Sequence, residues 1–261
     1  MMRRCPLAAV FVSLALAAPA PAAPQHYYLA LGDSHAFGFQ FRKYAPGVPA
    51  AAFDTGYADR IAAHLTALKL VNYGCPGEST ISFITGPCPY RALGEQLHDD
   101  YAGSQLRAAL AFLVTHPART DMVTLTLWGN DINAFVDACG GDLGCVQSGA
   151  PLAIAKFSAR LTAILAALKA AAGPHAVIVV TGVYDPNPPP LSQQTHPLFL
   201  ALDQAIAHTA AGTGARFAPL FATFDTPGAL CALTLLCSDG DAHPSDAGYQ
   251  AIADSILAVT A

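Results

Sequence analysis

Four short polar segments of this sequence contain the residue types that carry out acyl transfer. A serine hydroxyl becomes a nucleophile when a histidine takes its proton, and an acid beside the histidine fixes its tautomer. Ser34 and His243 can fill the first two of these roles. The segments that contain them and their polar neighbours are 32–34 (GDS), 72–79 (NYGCPGES), 129–131 (GND) and 238–244 (SDGDAHP).

The same segments also offer hydrogen-bond donors for a tetrahedral intermediate. The backbone N–H groups of Ser34 and Gly77 and the side-chain amide of Asn130 are the candidates. Losing one such donor typically lowers a rate about a hundredfold to a thousandfold. Each segment alone is more typical of an ordinary turn or helix cap, so the prediction depends on their occurring together and in this order.

The elements around these segments alternate between strand and helix patterns. Tyr27–Leu31 and Met122–Leu127 are predicted strands that lead into the first and third segments. Strands alternating with helices predict βαβ units around a parallel sheet. The other predicted elements are helices at Tyr57–Leu70, Gln105–Thr115, Ala153–Ala172 and Pro197–Ala211, strands near Val71–Tyr73, Ala176–Val183 and Ala215–Ala218, and a last helix capped by Ser245 and ending near Ala261.

This pattern predicts one α/β domain, a three-layer α/β/α sandwich with a central parallel sheet, over residues 23–261. In such sheets functional groups gather at the carboxyl ends of the strands. We therefore expect the four polar segments to meet at that edge.

Residues 1–22 are typical of a secretory signal peptide: a basic head, an apolar run and small residues before a cleavage point. The alternative is an N-terminal core helix. Although 53% of the 261 residues are hydrophobic, no run of about 18 apolar residues follows position 25, which argues against an integral membrane span. A secreted or periplasmic protein is expected.

The charge of the sequence bears on its binding partners, and its cysteine content bears on disulfide formation. Removing Arg3 and Arg4 with the signal leaves 11 basic residues against 18 acidic ones, which disfavours nucleic acid. Removing Cys5 leaves six cysteines, an even number that suggests disulfides in an exported protein. They fall into the local pairs Cys75–Cys88, Cys139–Cys145 and Cys231–Cys237, and no pair has the two-residue gap of a zinc knuckle.

The four segments together resemble those of the SGNH or GDSL hydrolase family of esterases and lipases, which have a flavodoxin-like fold. Residues 32–34 match the first block, although His35 stands where leucine is common. Residues 72–79 match the second block and 129–131 the third, which implies that Gly77 and Asn130 form the oxyanion hole. His243 and the residues after it match the last block.

The acid of the candidate triad departs from the family pattern. The usual position, three residues before the histidine, is Gly240, whereas Asp241 lies two before it and Asp239 four before it. By resemblance we favour Asp241, with Asp239 or a main-chain carbonyl as the alternatives.

The resemblance implies an exported, monomeric serine esterase that cleaves carboxylic esters through an acyl-enzyme on Ser34, without metal or cofactor. Its substrate would be a small-molecule, lipid or carbohydrate ester. The alternative is a secreted relative that binds a ligand and has no catalytic activity, since a fold does not determine function.

Overall fold

A five-stranded parallel sheet lies at the centre of the computed structural model, which describes residues 24–260. The predicted signal peptide lies outside the described residues. The strand order is β2-β1-β3-β4-β5, and every pair in it is parallel. The strands are β1 His26–Gly32, β2 Leu68–Asn72, β3 Thr120–Thr126, β4 Val177–Thr181 and β5 Arg216–Ala218.

Helices cover both faces of this sheet, which confirms the predicted three-layer fold. The central strands are almost entirely buried because they are covered on both sides. The longer helices are α2 Tyr57–His64, α5 Gln105–Thr115, α6 Gly129–Ala138, α7 Leu143–Ala172, α8 Ser192–Thr213 and α12 Asp246–Ala258. The short helices are α1 Ser34–Phe37, α3 Thr80–Thr85, α4 Pro89–Ala92, α9 Phe221–Phe224, α10 Ala229–Leu233 and α11 Leu236–Asp239, with 3-10 turns at Phe41–Lys43 and Ala50–Phe53.

The helix boundaries differ from the sequence prediction in three places. The helix expected over Tyr57–Leu70 ends at His64, because Leu68 and Leu70 belong to β2. Helix α7 begins ten residues before the predicted Ala153, where the Asp142 side chain accepts a hydrogen bond from the N–H of Cys145. Helix α8 likewise begins at Ser192 and contains a proline, which the prediction had placed at the helix start.

Helix α7 is long and apolar enough to cross a membrane, judged by length and composition alone. Its 30 residues include a window with a mean hydropathy of 1.5. However, Leu161, Ile164 and Leu168 on one face are buried in the core that covers the sheet. One face of α7 therefore packs onto the sheet, and among residues 24–260 it is the one helix that meets those criteria.

Two glycines permit close backbone contacts that position the polar segments. Gly32 has a φ of +125°, and a Cβ there would lie 2.0 Å from the carbonyl oxygen of Thr126 on β3. Gly248 in α12 packs against the end of α10, and a Cβ there would lie 1.9 Å from the Leu233 carbonyl oxygen. These contacts place the turns that follow β1 and precede α12 directly against their neighbours.

Replacing Gly248 by alanine should destabilise the fold, whereas the same change at Gly212 should not. A methyl group added at Gly248 would clash with the Leu233 carbonyl, which cannot move without disturbing α10. We therefore expect the free energy of unfolding to fall by at least about 2 kcal/mol. Gly212 lies in α8 with open space around it, and Gly212→Ala should stabilise the protein by about 0.5 kcal/mol through helix propensity. Thermal unfolding of both variants measures this, and equal melting temperatures would contradict the packing described.

Candidate active site

Four of the five residues proposed for catalysis line one cavity of about 550 Å³. Ser34 begins α1 directly after β1, and Asn130 lies in the first turn of α6 after β3. Gly77 is in the loop that follows β2. His243 comes from β7, Asp241–Pro244, which pairs with β6, Thr234–Leu235, in an antiparallel hairpin before α12. The carboxyl edge of the sheet therefore brings these residues together.

The side chains of Ser34, His243 and Asp241 form a continuous hydrogen-bonded chain. The Ser34 Oγ lies 2.9 Å from His243 Nε2, and His243 Nδ1 lies 2.6 Å from Asp241 Oδ1. Asp239, the alternative acid, ends α11 and is exposed. Asp241 is thus the carboxylate in contact with the histidine ring.

The surroundings of Asp241 favour its ionised form. Burial by itself would raise the pKa of this carboxyl group, but hydrogen bonds and the charge of His243 outweigh burial and hold the pKa below its usual value. The backbone N–H of His243 donates to Oδ1 at 3.0 Å, and that of Phe41 donates to Oδ2 at 2.8 Å. The carboxylate is therefore charged at neutral pH and held from two directions.

The three predicted hydrogen-bond donors belong to residues that line the same cavity, Ser34, Gly77 and Asn130. Ser34 is the first residue of α1, so its N–H has no acceptor within the helix. Gly77 has a φ of +86°, and a Cβ there would lie 3.2 Å from the Pro89 Cβ. The Asn130 amide donates one hydrogen to the Glu78 carbonyl at 2.9 Å, and its second N–H remains for a ligand.

Three disulfides link the segments around the cavity, in the pairs expected from the sequence. Cys75–Cys88 joins the Gly77 loop to the start of α4. Cys139–Cys145 joins α6 to α7, and Cys231–Cys237 closes the chain around β6, the partner of the His243 strand. Cys75 and Cys88 also lie close to Glu78 in an arrangement that could hold a metal, but their sulfurs are bonded to each other and offer no thiolate.

A second histidine at the site was not predicted to contribute there. His35 is buried beside the nucleophile, and its Nε2 lies 2.9 Å from the hydroxyl of Tyr184. Tyr184 donates its one hydrogen to the Ala242 carbonyl at 2.8 Å, so the His35 ring must donate to the tyrosine oxygen. This chain supports the backbone between Asp241 and His243. The signal available in the sequence was a histidine at a position where the family commonly has leucine.

Glu78, next to Gly77, is a buried acid with few hydrogen bonds. Gln105 donates to its Oε2 at 3.1 Å, while Oε1 has no partner among the described residues. Burial is the main reason why the pKa of Glu78 is raised to about 7. The carboxyl group is therefore largely protonated in the folded protein at mildly acidic pH.

Glu78→Gln should stabilise the protein more at pH 8 than at pH 4. The folded state binds the Glu78 proton more tightly than the unfolded state, so wild-type stability is lost as the pH rises from about 4.5 to 7. Gln does not titrate, so the variant does not lose stability in this way. The difference in the free energy of unfolding between the variant and wild type should therefore grow by about 2 to 3 kcal/mol between pH 4 and 8. Urea unfolding at both pH values measures the difference, and an advantage independent of pH would contradict the assignment.

Solved structures with the same fold include several ester hydrolases. An extracellular lipase from Streptomyces rimosus is 19% identical, with a TM-score of 0.60 over 90% of this chain and 99% of its own. Phospholipase A1 from Streptomyces albidoflavus is 20% identical, with a TM-score of 0.61 over 91% and 100%. An acetyl-xylooligosaccharide esterase from Geobacillus is 18% identical, with a TM-score of 0.56 over 89% and 93%.

Family membership follows from a match that spans most of the chain. No curated protein matches this sequence significantly, and identities at or below 20% in the structures above show a shared fold alone. The model of the GDSL-like lipase/acylhydrolase family, however, matches residues 30–251, which include all four polar segments. This chain therefore belongs to the GDSL-like lipase/acylhydrolase family, also known as the SGNH hydrolases.

Proposed function

We propose that this protein is an exported serine esterase that cleaves carboxylic esters as a monomer, without metal or cofactor. The observation that carries the proposal is the 2.9 Å contact between Ser34 Oγ and His243 Nε2, with an ionised Asp241 on the far side of the ring. The solved relatives named above, a lipase, a phospholipase and a sugar esterase, all act on esters.

The proposed reaction begins with proton transfer from Ser34 to His243. Asp241 accepts the hydrogen on Nδ1, so the lone pair on Nε2 faces the serine hydroxyl. As His243 takes the proton, Oγ forms a bond to the ester carbonyl carbon and the carbonyl oxygen becomes an oxyanion. The protonated ring then gives its proton to the leaving alcohol as the ester C–O bond breaks.

The oxyanion would be stabilised by the N–H groups of Ser34 and Gly77 and by the Asn130 amide. A water molecule, activated by His243, would then attack the acyl-enzyme and release the carboxylic acid. The charged Asp241 favours both steps because it stabilises the imidazolium that forms in each of them.

Export is supported by the three disulfides and by the residues at the N-terminus. Disulfides persist in oxidising compartments outside the cytosol, and the described residues contain three of them. Residues 1–22 have the composition of a signal peptide. We propose that they are removed and that the mature domain, from residue 23, is secreted or periplasmic.

Ser34→Ala should abolish hydrolysis of p-nitrophenyl butyrate, because no other nucleophile faces His243 within hydrogen-bond distance in the described part of the chain. We expect a loss of at least about a thousandfold in kcat. Ser148→Ala, an exposed serine on α7, is the matched control and should retain wild-type activity. A wild-type protein that binds esters but hydrolyses none would instead support the non-catalytic alternative.

Asp241→Asn should lower kcat about a hundredfold to ten-thousandfold, since an amide does not stabilise the imidazolium. Asp239→Asn should remain within twofold of wild type, because Asp239 is exposed and His243 Nδ1 is already bonded to Asp241. Steady-state kinetics on the same ester separates the two acids. Full activity in Asp241→Asn together with a loss in Asp239→Asn would reverse the assignment.

A further inference from the structure

A second, larger cavity adjoins the candidate active site. It has a volume of about 840 Å³ and lies between α6, α7 and the first half of α8. Four residues line both cavities: Ile132, Asn133, Pro186 and Phe199. Three of these four are apolar, so the boundary between the two spaces is itself apolar. A ligand that leaves the Ser34 cavity across this boundary enters the second one.

The chemistry of the second cavity suits an apolar ligand. Most of its lining side chains are aliphatic or aromatic, including Phe135, Val146, Ile154 and Phe157. Cavities of this size and character bind small apolar ligands.

Four charged side chains line this cavity: Arg160 and Asp131 are paired with each other, and Asp137 and Lys156 are exposed to solvent. Arg160 donates to Asp131 Oδ1 at 3.0 Å and to the Thr80 hydroxyl at 2.6 Å. Asp131 Oδ2 accepts the N–H of Thr80 at 2.8 Å. Because Arg160 and Asp131 satisfy each other and the other two charges are solvated, the wall does not require a charged ligand.

Exposed apolar side chains gather around the two cavities. Isolated exposed apolar residues are ordinary, but a cluster of them marks a binding surface. Among the described residues, seven large apolar side chains are exposed, and five of the seven line one of these cavities. Those five are Phe41 and Leu93 at the first cavity and Ile81, Leu152 and Leu191 at the second.

We propose that the second cavity binds the distal part of the acyl chain of a medium- or long-chain ester whose carbonyl lies at Ser34. The inference rests on the proposed function and specifies its substrate class. The acyl part is chosen over the alcohol part because the lining is apolar, whereas the alcohol part of a natural lipid ester carries hydroxyl, phosphate or sugar groups.

The first test is the dependence of kcat/KM on acyl length. We expect kcat/KM for p-nitrophenyl esters to rise about threefold per methylene between 4 and 10 carbons, as apolar surface is buried. A matched series of alkyl acetates, in which only the alcohol part grows, should show no such rise. A maximum at 2 carbons, with activity that still depends on Ser34, would overturn this inference and leave the proposed function standing. A rise in the alkyl acetate series alone would also overturn it.

The second test fills the cavity. Ala153 lies in the cavity wall on α7, and Ala155 lies on the same helix, exposed and outside both cavities. Ala153→Trp should lower the ratio of kcat/KM for the 10-carbon ester to that for the 2-carbon ester at least tenfold. Ala155→Trp should change this ratio less than twofold. Equal ratios in the two variants would contradict the binding of the acyl chain in the second cavity.

A polar substitution covers the case in which Ala153→Trp does not fold. Leu152 is exposed in the same wall, and Val114 on α5 is equally exposed but lines neither cavity. Leu152→Asp should lower the same ratio at least fivefold, and Val114→Asp should leave it unchanged. Equal ratios in these two would again overturn the inference.

Direct binding separates this inference from the proposed reaction. Calorimetric titration of Ser34→Ala with decanoic acid should show binding that is weakened at least fivefold by the added Leu152→Asp, whatever the turnover of the wild-type enzyme. Binding without hydrolysis in wild type would remove the proposed function and retain the cavity assignment. Binding unaffected by Leu152→Asp would remove the cavity assignment.

Discussion

The hydrogen bond between His243 Nδ1 and Asp241 Oδ1, 2.6 Å long, is the interaction on which the candidate site depends. With the hydrogen fixed on Nδ1, the lone pair of Nε2 faces Ser34. The carboxylate stays ionised despite its burial because two backbone N–H groups and the ring stabilise its charge. One of those N–H groups belongs to Phe41, which follows α1. The segment that carries the nucleophile thus also holds the acid.

The rest of the fold fixes the position of the nucleophile relative to the histidine. Gly32 lets β1 end directly against β3, so that Ser34 enters the cavity at the strand end. The histidine comes from a separate hairpin. Hydrogen bonds between the segment after α1 and the residues around His243 fix the distance between the nucleophile and the base. Gln40 donates to the Pro244 carbonyl at 2.9 Å, and Tyr249 donates to the Phe39 carbonyl at 2.8 Å. The disulfides restrict the conformations of the loops in which they lie.

Local sequence patterns predicted the features that depend on local chemistry. The Ser245 cap accepts a hydrogen bond from the Gly248 N–H as expected, and the six cysteines pair with their neighbours along the chain. The order of the four polar segments was sufficient to predict the sheet edge at which Ser34, Gly77, Asn130 and His243 meet.

Features that depend on tertiary packing could not be predicted in this way. Leu68 and Leu70 continue a helical apolar pattern, and only pairing with β1 makes them a strand. The contact of His35 with Tyr184 joins residues 149 positions apart. The second cavity exists because α6, α7 and α8 approach one another, and nothing in the periodicity of any one helix indicates it. For a related reason the sequence could not distinguish Asp239 from Asp241 as the acid of the triad. The β6–β7 hairpin determines which of the two side chains faces His243.

Reaction with a fluorophosphonate tests the central claim most directly, because only an activated nucleophile displaces the fluoride. The mature protein would be labelled at neutral pH, digested and mapped by mass spectrometry. We predict a single phosphonate adduct, on the peptide that contains Ser34. An adduct on another residue, or no adduct on the folded protein, would contradict that claim.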